Sequence, residues 1–194
     1  MKKILLISVA LWAQMAVFAQ TSWNVDAVHS SVRFTVEHLK ISEVAGAFKT
    51  FNGSMNSTKP DFEGSKVDFI VDINSLNTDN TMRDTHLKSD DFFNAEKFPK
   101  MTFKSTSFKK VSGSTYSLTG NLTIRDVTKS ETFDVTYGGT TKDSDGNTKA
   151  GFKASAVINR FDFGLRWNAL TEAGGMVASN KVKISLMLEF TQAK

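Results

Sequence analysis

The sequence predicts an all-β fold, a sandwich or a barrel, on three observations. Apolar and polar residues alternate in row after row. Turn signals separate the rows. Only one segment is polar and free of strand period. The rows are Val32, Phe34, Val36; Val67, Phe69, Val71, Ile73; Phe133, Val135, Tyr137; Phe152, Ala154, Ala156, Ile158; and Val182, Ile184, Leu186, Leu188, Phe190. Side chains on a strand alternate faces, so each row points one way. Sixteen Phe against three Trp and two Tyr make that shared face poor in polar atoms. It is either a packed core or the wall of a cavity for something equally apolar.

The turns follow. Asp145-Gly146, inside the polar stretch Gly138–Gly151, is the strongest hairpin signal, and Asn52-Gly53 is a second. Pro60 and Pro99 fall outside the rows, as ladder hydrogen bonding requires. The segment without strand period is DNTMRDTHLKSDDFFN, residues 79–94, which reads as a short helix capped by Asp79 or Asn80 and followed by a loop. Leu39–Ala47 is expected to hold a second short helical turn.

The opposite strand faces are polar: Arg33, Thr35 and Glu37 in one strand, Asp68 and Asp72 in another, Lys181, Lys183, Ser185 and Glu189 in the last. An outer-membrane barrel is apolar outside, and a charge at its lipid-facing midplane costs on the order of 2–4 kcal/mol. The pattern therefore places the apolar face inside a water-soluble protein.

Lys2 and Lys3 followed by a short apolar run and Val17-Phe18-Ala19 read as a secretory leader over residues 1–19, leaving one domain over 20–194 and a periplasmic or secreted setting. The run is too short for a spanning helix. Without Lys2 and Lys3, the 24 basic residues come close to balancing the 20 acidic ones, and no block of like charge stands out. Nucleic-acid binding thus has no electrostatic footprint. The absence of Cys excludes thiol chemistry and Cys-based zinc sites.

Chemistry-bearing residues are sparse. His29, His38 and His86 show no metal-ligand spacing, so no metal is expected. His38 is in phase with Val32, Phe34 and Val36 and should point inward. Arg83 and His86, three apart, share a helix face and form the one candidate polar pair near a pocket mouth; local bonds to Asp84, Asp90 or Asp91 are the plainer reading. Asp162 and Glu172, near Arg160 and Arg166, read as solvated loop groups rather than pocket-rim charges, and head-group selectivity would require Arg83, His86, His38 or Arg160 to reach the mouth. Asp143-Ser-Asp145-Gly-Asn147 lacks the Gly and Glu positions of a calcium loop and reads as a turn. No nucleophile elbow, zinc-protease helix or phosphate loop occurs.

Several motifs in order resemble the YceI-like family of secreted lipid-binding proteins. They are Trp23-Asn-Val-Asp-Ala-Val-His29-Ser30-Ser-Val-Arg-Phe34 with Val36 and His38; Val44-Ala-Gly46-Ala-Phe48; Arg83-Asp-Thr-His86-Leu-Lys-Ser-Asp-Asp-Phe92-Phe93; Phe98-Pro99 with Phe103-Lys-Ser105; Gly120-Asn-Leu122-Thr-Ile-Arg-Asp-Val-Thr128; and Asn159-Arg160-Phe-Asp-Phe163-Gly164. Asp126 departs from a Gly common in that turn. The resemblance implies an eight-stranded antiparallel lipocalin-like barrel carrying the helical insertion. It also implies an elongated apolar cavity for a polyisoprenoid, an isoprenoid quinone or a similar long amphiphile. In many members it implies a homodimer, and it carries over no catalytic residue or cofactor.

On rows and motifs together, the expected ligand-binding residues are Phe34, Val36, His38, Phe48, Phe69, Val71, Arg83, His86, Phe92, Phe103, Leu122, Phe133, Phe152, Phe163 and Leu188. The expected activity is binding rather than catalysis. Two alternatives stay open. One is an enzyme of the lipid or quinone using His86 and Arg83. The other is a barrel filled by its own side chains, in which Phe34→Ala would cost about 3–5 kcal/mol.

Overall fold

The alternating rows do form strands. The computed structural model describes residues 20–194 except residue 173; the expected leader lies outside the described residues. The strands are β1 (Thr21–Val25), β2 (Ser31–His38), β3 (Ser42–Phe48), β4 (Phe51–Ser57), β5 (Lys66–Asp72), β6 (Leu76–Asn77), β7 (Lys100–Ser112), β8 (Thr115–Ile124), β9 (Val127–Lys142), β10 (Thr148–Asn159) and β11 (Ala178–Gln192); helix α1 is Thr81–Lys88.

All pairings are antiparallel, and the sheet closes as an eight-stranded barrel. Three of its eight staves are broken strands. β11 pairs with β2 through Val182–Met187 and with β1 through Phe190–Gln192, so β1 and β2 are one interrupted stave. β3 and β4 pair with β2 and β1 in turn, and β6 and β5 pair with β3 and β4. From there β5 to β11 pair in simple succession, omitting β6. The result is an up-and-down meander, and closure removes the sheet edges that would invite aggregation.

β5 illustrates why the rows work. Val67, Phe69 and Val71 are buried, whereas Lys66, Asp68 and Ile70 are exposed. Two inward Phe rings fold over a glycine directly across the ladder, Phe34 over Gly46 and Phe69 over Gly53. A Cβ at Gly53 would lie 2.4 Å from the Phe69 ring. Gly53 thus serves close approach inside β4, and the expected hairpin at Asn52-Gly53 does not form. The Asp145-Gly146 turn does join β9 to β10, with Gly146 at φ 78°.

Leu39–Ala47 is also not helical. It is a turn followed by β3, because Val44 and Phe48 complete inward positions opposite Val36 and Val32. The insertion is as expected: Asn80 caps α1, its side chain accepting the Arg83 N–H at 2.9 Å. It fills the wall where β6 ends and β7 has not begun. Arg125, in the two-residue β8–β9 turn, reaches across to donate to the carbonyls of Phe92 at 3.0 Å and Asp90 at 3.2 Å. Among the described residues no helix is long and apolar enough to cross a membrane.

A cavity plugged at one end

One end of the barrel is closed. Phe62, on the loop between β4 and β5, inserts among Trp23, Tyr137 and Phe152, with ring centroids 5.2–5.3 Å away. Phe62 sits at φ 62°, a conformation that a bulky residue adopts only when its surroundings hold it there. The Tyr116 hydroxyl donates to the Asp61 carbonyl at 2.7 Å, the Ser65 hydroxyl to the Phe62 carbonyl at 2.7 Å, and the Gly64 N–H to the Phe108 carbonyl at 2.8 Å.

Above this plug the interior is not filled. An inner chamber of about 110 Å³ is lined by Phe69, Val71, Phe103, Leu122, Phe133 and Leu188, among others. An outer chamber of about 440 Å³ is lined by Val36, His38, Arg83, His86 and Phe92 together with Leu87, Phe93, Leu165, Trp167 and Val177. Phe34 and Phe48 line both. The inward row Val182, Ile184, Leu186, Leu188 is only half-buried, whereas Phe190, at the plug, is 3% exposed. Those four residues pack on the core at their flanks and leave part of their surface facing the chambers.

The structure gathers thirteen of the fifteen expected residues around these two chambers and leaves out Phe152 and Phe163. Phe152 packs on Phe62 and Phe190 in the plug. Its row is inward, but that part of the barrel is closed. Phe163 is fully buried in a 3-10 turn, Arg160–Phe163, where strand alternation has ended. Sequence reasoning missed Met101, Ile124, Trp167 and Val177. Met101 and Ile124 stand in phase with Phe103 and Leu122, so the alternation rule could have found them. Trp167 and Val177 come from an irregular segment with no period to read.

The polar groups at the mouth are mostly committed to the protein. Arg83 does not face His86; its Nε donates to Thr78 Oγ1 at 2.8 Å and its Nη2 to the Thr78 carbonyl at 2.7 Å. His86 Nε2 lies 2.9 Å from Asp91 Oδ2, and the ring stands edge-on to Phe92 and Trp167. Arg160 does reach the outer chamber, but its guanidinium is spent on the protein. It is 4% exposed and donates to four carbonyls: Leu165 at 2.7 Å, Trp167 at 2.8 Å, Ser179 at 2.9 Å and Ala178 at 3.1 Å. Burial lowers its pKa. The guanidinium fork ties the Leu165–Trp167 segment to the start of β11, so it builds the mouth.

A separate ionic cluster lies on the stretch joining β1 to β2. Asp26, His29 and Glu189 offer ligand atoms within 4.8 Å of one another. The Lys149 ammonium already stands among them, 2.8 Å from Asp26 and 3.3 Å from Glu189. The bond from Lys149, and then that from His29, holds the Asp26 carboxyl well below the usual carboxylate range. Asp26 in turn raises the pKa of His29. The cluster is a charge-balanced brace rather than a vacant cation site.

Together these features define a class: a closed antiparallel barrel, plugged at one end, holding an apolar two-chambered cavity reached from the other. Residues 23–190 match the YceI-like domain, and the chain belongs to that family. A UPF0312 protein of Staphylococcus aureus strain MSSA476 is 37% identical over 174 residues, covering 88% of this chain and 98% of that protein. Among solved structures, the YceI protein of Campylobacter jejuni is 32% identical with a TM-score of 0.69, covering 81% of this chain and 90% of that one. BcnA of Burkholderia cenocepacia has a TM-score of 0.74 at 22% identity, covering 85% and 98%. A polyisoprenoid binding domain from Saccharophagus degradans has a TM-score of 0.64 at 14% identity, covering 88% and 98%. The last two speak to the fold.

Proposed function

We propose that this protein is a carrier or store that holds the tail of a long apolar lipid, a polyisoprenoid, an isoprenoid quinone or a similar amphiphile, inside the barrel. The observation that carries this reading is the half-buried row Val182–Leu188 facing unfilled space. An apolar wall with no partner forfeits both dispersion contacts and burial, and a hydrocarbon chain restores them. Affinity then scales with apolar area removed from water, at about 25 cal/mol per Å² before the costs of association. A small polar substrate has no such area to offer. The polyisoprenoid-binding description of the Saccharophagus neighbour agrees with this ligand class.

The polar mouth favours binding over turnover. Arg83 and His86 bond to Thr78 and Asp91 rather than to each other, so the Arg83–His86 pair that the enzyme reading calls on is not assembled. The leader read in residues 1–19 supports a periplasmic or secreted setting. The test is displacement of an environment-sensitive fluorescent lipid from the purified, delipidated protein by prenols and fatty alcohols. Competition by long-chain members, with the lipid recovered chemically unchanged, supports a carrier. A protein that stays empty with every amphiphile contradicts it, and conversion of the lipid that His86→Ala abolishes while binding persists favours the enzyme.

A further inference from the structure

The two chambers are not one uniform tunnel; they meet at a short stretch of shared wall. Their shared lining is Phe34, Phe48, Met101, Ile124 and Ile184. The Phe34 and Phe48 rings lie 5.6 Å apart and tilted at 42°. Phe48 is 5% exposed and backed by Phe93 at 5.9 Å, so it is fixed. Phe34 is only half-buried.

The resting position of Phe34 depends on Gly46. The two are partners across the β2–β3 ladder, and the ring tip occupies the place a side chain would take. A Cβ on Gly46 would stand 2.3 Å from Phe34 Cζ and 2.8 Å from Thr78 Cγ2. The ring is therefore folded flat against the wall, in the slot the glycine leaves. With Thr78 on the same side, a ring displaced from that slot moves into the lumen.

We propose that Phe34, seated on Gly46, holds open the passage by which a lipid tail reaches the inner chamber, and so fixes whether the barrel accepts tails longer than its outer chamber. This rests on the carrier reading above and specifies its ligand: a single-chain amphiphile whose tail end passes Phe34 into the inner chamber. Tails that stop short leave that chamber without partners. Tails that pass gain about fourfold in affinity for each buried methylene. Tails longer than both chambers gain nothing more, because Phe133, Ala154 and Val67 line the inner chamber and the plug beyond is closed.

The experiment is the affinity of the delipidated full-length secreted protein for a series of prenols of increasing length. It is read as the length at which affinity stops rising. Gly46→Ala, which pushes the ring into the lumen, should move that plateau to shorter prenols. Phe34→Ala, which widens the passage but leaves the plug closed, should keep the plateau length and raise affinity for bulkier tails, and Phe34→Leu serves if the alanine variant does not fold. A Gly46→Ala plateau that coincides with the wild-type one, or moves to longer prenols, overturns the role of Phe34 while leaving the carrier reading intact. A wild-type protein that binds no prenol and no fatty alcohol overturns both.

Discussion

Replacing Arg160 by Met should destabilise the protein by about 3 kcal/mol. The side chains are similar in length, so the change removes donors rather than volume. Four carbonyls lose their partner: those of Leu165, Trp167, Ala178 and Ser179. An orphaned buried polar group costs about 1–3 kcal/mol. Leu165 and Trp167 sit on the mouth segment and regain water if it opens, whereas Ala178 and Ser179 begin β11 and are held by it. Two acceptors orphaned at mid-range values cost about 4 kcal/mol, brought down to about 3 because the guanidinium no longer has to be desolvated. Equilibrium urea unfolding with an unchanged m-value measures it, and hydrogen exchange at residues 165–179 should quicken even where the global fold survives. Arg160→Lys should recover only part, since an ammonium cannot span the fork of four acceptors. A Met variant within about 0.5 kcal/mol of wild type, the size of an ordinary surface change, with unchanged exchange, would refute the clamp.

The remaining predictions are smaller in reach. Asp26 owes its depressed pKa first to Lys149 and then to His29, so its contribution is present above the unfolded carboxylate value and lost as pH falls through the folded one. Lys149→Met should flatten the acid side of a stability-versus-pH profile measured from about pH 5 downward. His29 runs the other way: its raised pKa stabilises below the unfolded value of about 6.5 and fades as pH rises through the folded one, so His29→Gln should flatten the profile there. Gly53→Val should cost about 1–3 kcal/mol in thermal unfolding, because its side chain meets the Phe69 ring and the Val25 methyl group. Arg125→Ala should cost about 1–2 kcal/mol and raise proteolysis at residues 89–98, since two of its bonds anchor the Asp90–Phe92 segment to the barrel.

The meander was legible because strand alternation is a period-2 signal that survives burial. Val67, Phe69 and Val71 could be assigned to one face from spacing alone. The breaks between β1 and β2, β3 and β4, and β5 and β6 were not legible, because each half-strand finds a ladder partner that only the closed sheet supplies. Asn52-Gly53 carried a turn signal, yet the tertiary demand for Phe69 to lie over Gly53 outweighed it. At the site, inward phase correctly placed Phe34, Val36 and His38 on the cavity wall. Phase says nothing about depth, however, and so it did not separate Phe152 in the plug from Leu188 beside the inner chamber. The fourfold carbonyl clamp of Arg160 was not legible for a related reason. A lone Arg between loop residues looks solvated until the backbone turns four carbonyls toward it.

The most direct test of a lipid-carrying barrel is native mass spectrometry, with solvent extraction, of the protein purified from its own host without detergent. The account predicts a complex heavier than the chain by the mass of one long apolar molecule, released on unfolding and extractable into organic solvent. A protein that emerges at the mass of the bare chain and stays empty when offered isoprenoids and fatty amphiphiles would contradict it.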